Sequence, residues 1–148
     1  MIQQDSQKRR NERAKVAVDA ERLLEKFEEL IEKFPKNLKY SGSNAALLKY
    51  FGASMYARIN CASYSTNDIV RRREFIEAAL GDYETVKLQK RILFSKRGKG
   101  NEYYVSLEQL ADLDELLASV GRQLVGLKKS LDDIIDKTNT VTGTQARR

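Results

Sequence analysis

Nine cationic side chains fall into two groups whose density suits the binding of phosphates. Arg71-Arg72-Arg73 form one group; Lys87, Lys90, Arg91, Lys96, Arg97 and Lys99 form the other, running into Ser95-Lys96-Arg97-Gly98-Lys99-Gly100-Asn101. Lysines and arginines reach phosphate oxygens readily, but position a nucleic acid without reading its bases. Favourable pairing with a helix C-terminus accounts for Lys90 and Arg91. It does not account for three arginines opening a helix, where the dipole disfavours cations, or for three more in a loop. Tyr103 and Tyr104, beside that loop, suit either stacking on bases or capping the end of a helical domain.

The residues needed for catalysis are mostly missing. The chain has no histidine, which removes the commonest general base and metal ligand. Cys61 is the only cysteine, so it offers no zinc pair, no internal disulfide and no activated thiol. In a helical stretch, a small residue like Cys61 reads as packing. Gly98-Lys99-Gly100 lacks the spacing of a phosphate-binding P-loop. Asp132-Asp133 and the group Asp112, Asp114 and Glu115 read as solvated helix faces rather than magnesium ligands. We expect a non-enzyme with no metal and no cofactor.

The elements that position these residues are helical. The chain has 148 residues, with 41% hydrophobic, 32% charged and a single proline, too little punctuation for an all-β fold. Its net charge of +6 favours polyanionic partners. No apolar run is long enough to cross a bilayer, and residues 1–13 lack a signal-peptide core. With the lone cysteine, these features predict a cytoplasmic protein that does not touch membranes.

Apolar residues set the boundaries. Val16, Ala20, Leu23, Phe27, Leu30 and Phe34 repeat at alternating spacings of 4 and 3, the seam of a helix packed on other helices. Pro35 then stops it. Ser43 or Asn44 caps a second helix with Leu48, Phe51, Met55, Ile59 and Ala62 on one face. This helix is rich in small residues and predicted to be buried on more than one side. A third follows Ser65-Thr66-Asn67-Asp68 with Ile69, Ile76, Leu80, Tyr83, Val86 or Lys87, Leu88 and Leu93 facing inward. Gly81 inside it suggests close packing or a bend. The fourth begins at a capping box, Ser106 with Gln109, and its seam runs Leu110, Leu113, Leu117, Val120, Leu124, Leu127, Leu131, Ile134.

The pattern predicts an all-α fold: four helices over residues 11–33, 44–64, 68–94 and 106–135, packed as an antiparallel up-down-up-down bundle. One domain spans residues 11–136, between a flexible segment at 1–10 and a disordered polar tail at 137–148.

Two blocks carry a family likeness across residues 16–130. Glu32-Lys33-Phe34-Pro35-Lys36 followed by Tyr40, and Val105-Ser106-Leu107-Glu108-Gln109 followed by Leu116-Leu117-Ala118-Ser119-Val120-Gly121-Arg122-Gln123-Leu124, resemble a small four-helix-bundle family. It includes the 23S rRNA intervening-sequence proteins and Avd, the accessory variability determinant of diversity-generating retroelements; the Avd branch is nearer. Gly121 and Arg122 match the family's Gly-Arg pair, and Lys36 its junction lysine. Val125-Gly126-Leu127 replaces the family's paired glycines and aromatic, and the loop at 95–100 is longer. The resemblance implies a cyclic homo-oligomer, a pentamer, with a basic surface. It also implies a scaffolding role, binding a reverse transcriptase and its template RNA without catalysis; the basic groups themselves suit RNA or DNA alike. The rival expectation is a protein–protein adaptor whose positive charge is incidental.

Overall fold

The computed structural model describes residues 15–146, with side chains through residue 139. The flexible segment expected at 1–10, and the helix start expected near residue 11, lie outside the described residues. Within them the chain forms four α-helices and no strand: α1 (Lys15–Ile31), α2 (Asn44–Tyr64), α3 (Ile69–Phe94) and α4 (Leu107–Ala146). A short 3-10 turn (Lys36–Leu38) lies between α1 and α2. No helix among the described residues is long and apolar enough to cross a membrane.

Each boundary has a local cause. The last turn of α1 tightens into shorter-range bonds, Lys33 N–H to the Leu30 carbonyl and Phe34 N–H to that of Ile31, before Pro35 removes the next donor. Ser43 caps α2, its hydroxyl accepting from Ala46 N–H at 3.2 Å; Gly42, at φ +83°, supplies the left-handed turn before it. Asp68 caps α3 by accepting from Arg71 N–H. The capping box of α4 is formed in both directions: Ser106 Oγ accepts from Gln109 N–H and Gln109 Oε1 accepts from Ser106 N–H.

The far end of α4 departs from expectation. The helix does not stop near residue 135 but continues to Ala146, in place of a disordered tail from Lys137. No proline occurs after residue 127, and the one glycine, Gly143, costs only about 1 kcal/mol against alanine, so the backbone ladder continues. The Thr138 hydroxyl bonds back to the Ile134 carbonyl, within the helix.

The helices close around one core: α1 packs on α2 and α4, and α3 packs on the same two helices. All six seam residues of the first helix are buried, as are Leu113, Leu117, Val120, Leu124 and Leu131 of α4. The inward face of α3 is corrected by one residue lost and three gained. Leu88 is 43% exposed, and Ala79, Asp82 and Phe94 are buried instead. Ile134 of α4 is likewise exposed. Two buried carboxylates join neighbouring helices. Asp82 of α3 accepts from Ser54 Oγ and pairs with Arg58 at 3.0 Å, both on α2. Asp19 of α1 accepts from Gln123 Nε2 of α4 at 2.8 Å.

Glycines mark where helices approach most closely, and Gly81 is not one of them. A Cβ at Gly81 or Gly126 would meet nothing within 4 Å. At Gly52 it would lie 2.7 Å from a Leu24 methyl, and at Gly121 only 2.3–2.8 Å from the hydroxyl and ring edge of Tyr83. A leucine methyl can yield; a buried phenol ring cannot without leaving its site. Gly121→Ala should therefore lose about 1–3 kcal/mol to overpacking, more than the helix-propensity gain returns. Gly126→Ala should gain roughly 0.5–1 kcal/mol. Urea titrations of the two variants read the opposite signs directly; equal shifts would refute the close contact.

Candidate nucleic-acid interface

The structure separates the two basic groups. Arg71, Arg72 and Arg73 open α3, whereas Lys87, Lys90, Arg91, Lys96, Arg97 and Lys99 lie toward and beyond its end. At about 1.5 Å rise per residue, Arg71 and Lys96 stand roughly 37 Å apart along the helix. The nine residues are not one surface of a single chain.

Three of the nine are already committed to carboxylates. Arg73 spans two, bonding Asp132 of α4 at 2.7 Å and Glu77 at 2.9 Å, and its hydrogen bond to Asp132 raises its pKa further. Lys87 pairs with Glu84 at 3.0 Å, a bond that likewise raises its pKa, and it lies over the Tyr83 ring. Burial pushes the Tyr83 phenol above its ordinary value, with Lys87 opposing. Lys90 bonds Asp114. Among the described residues, Arg71, Arg72, Arg91, Lys96, Arg97 and Lys99 make no ion pair. Arg71 rests over the Phe75 ring at 5.7 Å.

The segment expected to be a flexible loop is a small hairpin. Arg97 and Tyr103 form an antiparallel bridge, Gly98 N–H donates to the Glu102 carbonyl at 2.9 Å, and Asn101 N–H to the Gly98 carbonyl at 3.0 Å. Asn101 takes φ +61°, a left-handed conformation that asparagine tolerates better than most residues. The Arg97 guanidinium lies over the Tyr103 ring, its central carbon 4.6 Å from the ring centroid. It donates to the Tyr103 hydroxyl at 2.8 Å and to Asn101 Oδ1 at 3.3 Å.

This hairpin meets the connector between α1 and α2. Phe34 touches Tyr104 at 4.9 Å and Phe94 at 5.6 Å between ring centroids, and Lys33 Nζ donates to Gln109 Oε1 at 2.6 Å. Between them lies a cleft of about 780 Å³ bordered by Pro35, Asn37, Leu38 and the hairpin. The meeting adds residues that sequence spacing alone does not assign to the site: Lys33, Lys36 and Lys39. Together the two connectors carry six cations, these three with Lys96, Arg97 and Lys99, against two carboxylates, Glu32 and Glu102. Three lysines among residues 33–39 are visible in the sequence; their partner 60 residues on is set by the fold.

The other features carry less. Cys61 is exposed, not packed. Among the described residues no group of three His, Cys, Asp or Glu side chains could hold a metal ion. Compared with models of protein families, with curated proteins and with solved structures, the chain matches none.

Proposed function

We propose that this protein is a non-catalytic accessory factor that binds nucleic acid through the end of its bundle where the two connectors meet. Its resemblance to the Avd branch suggests that it holds a reverse transcriptase and template RNA together. The observation that carries this reading is the concentration of six cations, with exposed Tyr103, at that one end. Phosphate contacts explain why such a patch stays solvated rather than paired.

The proposed subunit is an antiparallel up-down-up-down bundle. Cross-helix pairs support it, since early residues of one helix meet late residues of its neighbour: Asp19 with Gln123, Lys33 with Gln109, Asn44 with Gln89, Arg73 with Asp132. The proposed assembly is a cyclic homo-oligomer, five subunits by the resemblance. It is supported by α2, whose outward face carries Tyr50, Ala53, Ala57, Cys61 and Tyr64, with the two tyrosines 67% and 87% exposed. The same face favours the rival reading, a protein–protein adaptor.

Salt separates the two. The affinity of the full-length protein for RNA or DNA should fall about 10³-fold or more between 50 and 200 mM salt if six phosphates are contacted. An adaptor burying apolar surface is nearly indifferent to salt. Filter binding at both salts decides, and a protein that never retains nucleic acid is the adaptor. In light scattering at micromolar concentration we expect an oligomer; a monomer counts against the ring.

A further inference from the structure

The cleft between the two connectors combines features that a duplex cannot use and a single strand can. Tyr103 is 44% exposed, with one face of its ring covered by the Arg97 guanidinium. Together the guanidinium and the half-exposed ring present a partly apolar platform edged by positive charge. Unpaired bases stack on aromatic rings and on guanidinium planes alike. The platform is fixed before any ligand arrives. Arg97 is held by Asn101 and by the Tyr103 hydroxyl, and the hairpin turn is closed by its own backbone bonds. Little ordering cost remains to be met on binding.

The dimensions agree. The concavity, about 780 Å³ and open to solvent, has room for a nucleoside unit. A double helix, with its bases stacked inside, presents no free base to the platform; its phosphates would meet only the cations at the cleft's edge, such as Lys99. Tyr104, wedged against Phe34, anchors the hairpin beside the connector.

We infer that this cleft takes an unpaired base of single-stranded nucleic acid on the Arg97–Tyr103 platform while the surrounding lysines hold the flanking phosphates. This rests on the proposed nucleic-acid reading and narrows it to single strands.

The test compares two labelled probes with equal numbers of phosphates, an unstructured oligouridylate of roughly 16 nucleotides and a perfectly paired hairpin. Fluorescence anisotropy with the full-length protein is expected to give the single strand about tenfold tighter binding. Tyr103→Ala should remove that preference, losing affinity mainly for the single strand, and Tyr103→Phe, which keeps the ring but loses the hydroxyl bond to Arg97, should keep most of it. Arg97→Lys, which retains the charge but loses the plane, should weaken the single strand alone. Equal affinity of the parent protein for the two probes overturns the inference and leaves the broader reading standing. So does an equal loss on both probes in Tyr103→Ala. If neither probe binds, the inference and the nucleic-acid reading fall together.

Discussion

Leu117→Asp is expected to unfold the protein. Leu117 is 4% exposed and sits mid-seam on α4. Truncation alone, Leu117→Ala, should cost about 2–5 kcal/mol. The aspartate loses that burial and must also either desolvate an unpaired carboxylate or pull α4 out of the core, each costing several kcal/mol more. The total rivals the roughly 5–15 kcal/mol that stabilises a whole domain. Far-UV circular dichroism should show little helix for Leu117→Asp and a lowered melting temperature for Leu117→Ala. Leu107→Asp is the control: it lies in the same helix, but is exposed in the first turn, where a carboxylate is welcome to the helix dipole. A melt of Leu117→Asp matching the parent would refute the packing described here.

Changing Lys96, Arg97 and Lys99 together to glutamine should weaken nucleic-acid binding strongly without disturbing the fold. Each phosphate left without its cation takes roughly 0.7–0.9 off the slope of log affinity against log salt, so three of them flatten it by about 2–3 units. In an oligomer the effect is repeated in every subunit, and avidity magnifies it. The fold should survive because the hairpin turn is closed by backbone bonds. Reversing Arg22 and Lys26 on α1, both outside the connector patch, should change neither slope nor affinity by a comparable amount. Filter binding at two salt concentrations reads both variants. A triple variant that binds as tightly as the parent at each salt would remove this end of the bundle from consideration.

The helices were largely legible because their punctuation is local. Pro35, Ser43, Asp68 and the Ser106–Gln109 box each act on backbone groups within four residues, so sequence spacing suffices to place them. The inward face of α3 was harder to read. Leu88 and Ile92 are apolar yet exposed, and a helix with apolar residues on opposite sides does not announce which side is the core. Cys61 was misread for the same reason, since small residues occupy both the buried and the open face of α2. The end of α4 was missed because weak helix formers, unlike proline, do not terminate a helix. At the site, the basic residues were visible but their pairing was not. Arg73 is neutralised by Asp132, 59 positions away, and the lysines of the first connector join the hairpin only through the fold.

The two glycine contacts also answer a question that the leucine seams leave open. A seam spaced by 3 and 4 offers its neighbours another apolar stretch after a slide of about one helical turn, roughly 5.4 Å along the axis. Hydrophobic burial alone would therefore tolerate several alignments of α4 against the rest. The notches do not repeat. Tyr83 fits at Gly121, but a slide of one turn would drive its ring into Leu117 or Val125, four positions to either side. Leu24, seated at Gly52, would likewise strike Leu48 or Tyr56. A seam supplies adhesion without an address. Two missing side chains supply the address, and hold the ends of the bundle level enough for distant connectors to meet.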